Sequence, residues 1–158
     1  MTSKVTIENI AFVGVAINAT PATGAASTSG AAVIAGKLCA GSTLTLNNVT
    51  IRDSYVNVAK KAGAVIGYAE SGSIFNANGL TIENVQVAAG KQSAVVIGYA
   101  QSGQYSLGNF THNVSNLTVT NVTVTKDASY GDNDPIGATS YHYWDATKDK
   151  ATEGKNFN

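Results

Sequence analysis

One eight-residue pattern recurs four times in this chain and limits what it can fold into more than any other feature. The copies are Val5-Thr6-Ile7-Glu8-Asn9-Ile10-Ala11-Phe12, Leu44-Thr45-Leu46-Asn47-Asn48-Val49-Thr50-Ile51, Leu80-Thr81-Ile82-Glu83-Asn84-Val85-Gln86-Val87 and Leu117-Thr118-Val119-Thr120-Asn121-Val122-Thr123-Val124. Positions one, three, six and eight are large and apolar in every copy, position two is Thr and position five is Asn. The copies start at 5, 44, 80 and 117, spacings of 39, 36 and 37. A period in this range marks a stacked repeat architecture in which each repeat is one layer.

Within a copy, positions one and three alternate as a strand does, and positions six and eight resume the alternation after a two-residue corner. The second corner residue is Asn9, Asn48, Asn84 or Asn121. Asn tolerates the left-handed conformation that a sharp corner demands better than other non-glycine residues. Stacked vertically, the four predict an asparagine ladder, each amide bonded to the next. A second element follows each copy: Ala32-Val33-Ile34, Ala64-Val65-Ile66, Val95-Val96-Ile97 and Asp134-Pro135-Ile136-Gly137. The connections on either side of it vary while the period stays near 37. One layer therefore reads as three short strands with adjustable loops at two corners.

These residues resemble right-handed parallel β-helix domains of bacterial surface proteins. Their coils carry phrases such as V-T-I-x-N-V-x-V followed by G-x-x-G-Y-A. Gly63-Ala64-Val65-Ile66-Gly67-Tyr68-Ala69 and Ile97-Gly98-Tyr99-Ala100 look like the short Gly-rich repeats of bacterial adhesins and surface peptidases. They differ in having Ala-Val-Ile-Gly where Gly-Leu-Val-Gly is usual. The resemblance covers residues 4–138 and implies an all-β fold, a right-handed parallel β-helix of about four coils. Residues 1–140 would form the repeat domain, and residues 141–158, with Tyr141, Tyr143, Trp144 and Phe157, a cap or tail. A β-sandwich does not repeat the same Thr and Asn at a fixed period, and leucine-rich repeats are only 20 to 29 residues long.

Composition narrows the function classes. Ten basic and ten acidic residues cancel, and no charged stripe argues for nucleic acid or for a membrane surface. Only 13% of residues are charged, against about 25% in an average domain, a balance that suits secreted or cell-surface β-proteins. The single Cys39 makes no intrachain disulfide and reads as a small buried apolar residue. Met1-Thr2-Ser3-Lys4 runs straight into a strand pattern. The chain therefore reads as a domain of something longer, its export signal elsewhere.

The most closely matched pair of segments is Gly67-Tyr68-Ala69-Glu70-Ser71-Gly72 and Gly98-Tyr99-Ala100-Gln101-Ser102-Gly103. On adjacent coils Tyr68 lies roughly 4.8 Å from Tyr99. Two stacked rings beside Glu70 and Gln101 make a platform for a sugar, two rings tall because the first coil offers Gly36 there and the fourth Ala138. The plainer reading is that the rings stack to hold a corner. Thr6, Thr45, Thr81 and Thr118 predict one outward threonine column, which as an ice-binding array lacks a second column and otherwise serves β-propensity. Asp132 and Asp134, between Gly131 and Pro135, offer oxygen ligands that calcium takes, without EF-hand spacing; a turn uses the same residues. No other cofactor is implied.

Catalysis finds little support. Glu8 and Glu83 fall at equivalent corners two layers apart, roughly 10 Å along the axis, and a hydrolase needs two carboxylates at one cleft. His112 lies in a polar loop and His142 among aromatics, without a nucleophile motif. The sequence thus points to a non-catalytic surface or secreted module, structural or adhesive, that contacts glycan or a surface protein. A fragment of a polysaccharide-degrading β-helix enzyme is the alternative and ice binding a third.

Overall fold

The computed structural model describes residues 2–19, 30–90, 92–100, 110–126, 141–145 and 150–153. Among them the chain is all-β, and its strands pair mostly in parallel. The strands are β1 (Lys4–Val13), β2 (Ala16–Ala19), β3 (Ala35–Leu38), β4 (Thr43–Val58), β5 (Lys61–Gly63), β6 (Ile66–Ala69), β7 (Ile74–Ala89), β8 (Gln92–Ala94), β9 (Ile97–Ala100), β10 (Thr111–Lys126), β11 (Tyr141–Asp145) and β12 (Lys150–Glu153). The first sheet runs β1-β4-β7-β10 with β2 also on β4, the second runs β12-β11-β9-β6-β3, and β5 pairs with β8 in a third. Successive passes of chain visit these sheets in the same order, which is compatible with a parallel β-helix. Among the described strands only β12 runs antiparallel to its neighbour, β11.

The long strands β4, β7 and β10 have 16 residues each and bend twice. In β4 the inward residues are Leu44 and Leu46, then Val49 and Ile51, then Ser54, Val56 and Val58, all buried. Between these groups stand Asn48 at φ 51° and Asp53 at φ 52°. Each long strand thus repeats a five-residue unit of two inward side chains followed by one left-handed corner. The same corners are Asn9 and Gly14 in the first pass, Gly79 and Asn84 in the third, Asn116 and Asn121 in the fourth.

This five-residue unit corrects the expected register. Octet two does not lie under octet three: Leu44 pairs with Phe75 and Leu46 with Ala77, while Leu80 pairs with Val49 and Ile82 with Ile51. The offset is 31 residues, five fewer than the 36 separating the octets. A slip of five keeps inward residues inward, so apolar periodicity cannot oppose it. The expected ladder is therefore two shorter ones. Asn48 Nδ2 donates to Asn9 Oδ1 at 3.1 Å, whereas Asn84 Nδ2 donates to Asp53 Oδ1 at 3.1 Å and Asn121 Nδ2 to Asn84 Oδ1 at 2.7 Å. Asn48 faces Gly79 instead of Asn84. The threonine column divides in the same way: Thr6 and Thr45 continue to Asn76, while Thr50, Thr81 and Thr118 form a separate column.

Offsets of 31 also relate β3 to β6 and β6 to β9, as in Lys37 with Tyr68 and Ile66 with Ile97. The larger offsets of 39 between β1 and β4 and 37 between β7 and β10 therefore reflect extra chain between β2 and β3 and between β9 and β10.

Asn84 tests the corner chemistry. Asn84→Gly keeps the left-handed backbone and loses only the amide ladder, whereas Asn84→Ala loses the ladder and leaves a Cβ, without the local hydrogen bonding that lets Asn tolerate it, in a conformation costing roughly 1–2 kcal/mol. Urea unfolding is expected to rank stability wild type, then Gly, then Ala.

Candidate functional site

The residues expected to form a site lie where β6 and β9 run side by side. Their register brings the Tyr68 and Tyr99 rings into a stack with centroids 5.3 Å apart and planes 8° from parallel. The first-pass neighbour of Tyr68 is Lys37, where Gly36 was expected. Val33 N–H bonds to Ala64 O and Ala35 N–H to Val65 O, which seats Ala35 beside Ile66 and moves the first pass along by one residue. The Lys37 ammonium lies 5.7 Å from the Tyr68 centroid and 2.6 Å from Glu70 Oε1. Glu70 Oε2 accepts a hydrogen bond from the Ala40 N–H at 2.9 Å.

Sequence reasoning missed the second cation. Lys61 on β5 is 6% exposed, and its ammonium sits 4.6 Å from the Tyr68 centroid and 4.3 Å from that of Tyr99. An enclosed ammonium over two ring faces is a cation–π arrangement. The signal for it was local: Gly63 and Gly67 lie between Lys61 and Tyr68, and both are positions where backbone approaches backbone too closely for a Cβ.

Enclosure changes what the tyrosines can do. Tyr68 is 2% exposed, so its ring faces are covered by neighbours, and the open two-ring platform reduces to the partly exposed Tyr99 with Lys37 and Glu70 at the rim. Burial pushes the Tyr68 phenol up to about 12, helped by Tyr99 and by the Glu70 charge. The hydrogen bond from Lys37, then that from Ala40 N–H, holds Glu70 below the usual carboxylate range, and the same bond to Glu70 raises Lys37. At neutral pH the phenol therefore stays protonated and the Lys37–Glu70 pair stays charged. These groups can donate and accept hydrogen bonds; none of the three is tuned to exchange a proton near neutrality.

The other candidates disperse. Gln101, Asp132 and Asp134 lie outside the described residues. Glu8 and Glu83 occupy different columns: Glu8 neighbours Asn47, which donates to Glu8 Oε1 at 2.7 Å, and Glu83 neighbours Arg52. Among the described residues no group of three or more His, Cys, Asp or Glu could hold a metal ion. Cys39 is exposed rather than buried, because it follows the inward-facing Leu38 and its alternate position points outward.

His112 belongs to β10 and to an inward column beside Phe75, contrary to its expected place in a loop. It stacks on Phe110 at 5.6 Å, and burial lowers its pKa from 6.5. The folded chain then binds fewer protons than the unfolded chain below pH 6.5, so stability falls as pH drops from there through the lowered folded value. Melting temperatures at pH 7.5 and pH 5 are expected to differ more for the wild type than for His112→Phe.

Compared with protein-family models, with curated proteins and with solved structures, the chain gives no match.

Proposed function

We propose that this chain is a non-catalytic module with a right-handed parallel β-helix fold, of the kind carried by bacterial cell-surface or secreted proteins. It serves as a stiff structural and adhesive segment that contacts glycan or a surface protein. The observation that carries the reading is how the outward polar side chains are arranged. Asn48 bonds to Asn9, Asn84 to Asp53, Asn121 to Asn84, Asn113 to Asn76 and Asn116 to Asn78, each joining one pass to the next. Surface amides that brace neighbouring passes make a regular, inextensible face. Such a face suits a spacer or contact surface better than a cleft closing on a reacting bond.

Tyr99, Lys37 and Glu70 are the residues proposed to touch a ligand. A partly open ring beside a fixed ion pair offers an apolar face with polar groups at its edge, which matches the two-sided chemistry of a sugar. Glu70 is already committed to Lys37 and Ala40, an arrangement that favours recognition over proton transfer.

The test is an array of glycans and surface proteins probed with the folded domain. Binding that falls at least tenfold in Tyr99→Ala, with the strand signature in circular dichroism retained, supports the adhesive role and places the contact. Release of reducing sugar or of unsaturated uronate from a polysaccharide panel overturns the proposal in favour of an enzyme fragment.

A further inference from the structure

The two ends of the stacked sheets are chemically unequal. At the end formed by β1 the inward-column residues Val5 and Ile10 are 49% and 45% exposed. The residues that continue the Val5 and Ile10 columns inward, Leu44 and Phe75 below one and Val49 and Leu80 below the other, are buried. At the β10 end the same two columns finish in His112 and Leu117, both half-buried, and Val114, Val122 and Val124 are buried. An open cavity of about 400 Å³ lies behind β1, lined by the apolar Val5, Ile7, Ile34, Ala35, Leu38 and Leu44 among others. In the second sheet the far edge is finished by the antiparallel β11–β12 pair, whereas the near edge is β3.

Strand β1 also carries a self-complementary sequence. Around Thr6, Val5 and Ile7 are the inner neighbours and Lys4 and Glu8 the outer ones. An antiparallel pairing of this strand with a second copy of itself, centred on Thr6, sets Lys4 opposite Glu8 and Val5 opposite Ile7, each pair twice. Residues directly opposite in an antiparallel pair share a face, so the apolar pairs fall on the cavity side and the ion pairs on the outside. Asn47, on the neighbouring β4, donates to the Glu8 carboxylate at 2.7 Å and keeps it on the outer face of the sheet. Charges on an exposed edge more often discourage pairing. Here their opposite signs at equal distances from one residue make them complementary to themselves.

We propose that β1 is a dimerisation edge: two copies of this chain join through it, antiparallel about Thr6, and cover each other's apolar end. With no net charge the copies do not repel at long range. Because among the described residues it is the β1 end that exposes large apolar side chains of the inward columns, the two-fold contact closes at the dimer and does not propagate into a filament. The proposal rests on the β1 edge and stands apart from the adhesive role.

Sedimentation of the whole chain over a concentration series tests it, with Cys39→Ser in every variant to remove disulfide-linked dimers. The wild type is expected to dimerise. Lys4→Glu and Glu8→Lys each set like charges opposite one another twice, and each is expected to weaken the dimer on the order of tenfold or more. Mixing the two single variants restores opposite charges at both contacts, so the mixture is expected to form a heterodimer. A wild type that stays monomeric throughout assigns the exposed end to a different occupant and overturns the proposal. Single variants that associate as tightly as the wild type, or a mixture that stays monomeric, overturn it equally.

Discussion

Gly67→Ala is expected to destabilise the fold by about 3 kcal/mol, a large part of a domain's roughly 5–15 kcal/mol. The reason is contact, not backbone conformation. A Cβ built on Gly67 would stand 2.3 Å from Ala31 N, 2.6 Å from Gly30 C and 2.8 Å from Ala31 O, all backbone atoms. One pass along, a Cβ on Gly98 would stand 2.5 Å from both Ala62 C and Ala62 O. Ala31 and Ala62 are themselves bridged in parallel, so the layer containing β5 and β8 lies directly against β6 and β9 with no side chain between. Backbone cannot rotate aside as a side-chain tip does, and an added methyl must separate the two layers and with them Lys61 from the tyrosine stack. Gly14→Ala is the control. It takes a positive φ of 67° but has nothing within 4 Å of its Cβ, so it incurs only the left-handed term of roughly 1–2 kcal/mol. Urea titrations should give Gly67→Ala and Gly98→Ala midpoints well below that of Gly14→Ala. Equal midpoints for all three would contradict the close layering.

Much of this architecture could be read from the residues, and the part that could not has a specific cause. Parallel stacking followed from the Thr/Asn octets, and the corners followed from Asn: Asn9, Asn48, Asn84 and Asn121 all have φ between 50° and 53°. Tyr68 over Tyr99 followed from the matched Gly-Tyr-Ala segments. The register of octet two against octet three did not, because the octet spans two of three equivalent five-residue units in a long strand. Moving by one unit changes which octets overlap while the octets' own apolar side chains still face inward. The discriminating signal lay outside the octets, in Phe75-Asn76-Ala77-Asn78-Gly79, an earlier unit whose corner is Gly, and in the 31-residue separation of the two tyrosines. Enclosure of Tyr68 was illegible for another reason. It depends on Lys61 and Lys37 arriving from other strands, and a periodicity argument counts residues along strands, not layers laid across them. His112 was misplaced because its inward position follows from pairing with Phe75, a partner that the octets left out.

Phe75 therefore gives the sharpest test of the register. It belongs to no octet, yet it is fully buried and packs between Leu44 and His112 in one inward column. Removing its ring leaves a cavity that neighbouring strands, fixed by their ladders, cannot close. Phe75→Ala is expected to cost about 3–5 kcal/mol, in the range of the largest core truncations, and Phe75→Leu, which keeps most of the volume, under about 1.5 kcal/mol. Its neighbour Ile74 points outward at 38% exposure, so Ile74→Ala is expected to fall within about 0.5 kcal/mol of the wild type. The contrast between adjacent residues arises because successive side chains in a strand face opposite ways. It also separates the two registers. At an offset of 36 residues Phe75 would lie beside Cys39, an exposed position ahead of β4, and its truncation would cost little more than that of Ile74. Denaturant unfolding of the three variants decides between the two: a Phe75→Ala midpoint no lower than that of Ile74→Ala would displace β7 along β4 by one five-residue unit, and both hydrogen-bonded corner columns would have to be redrawn with it.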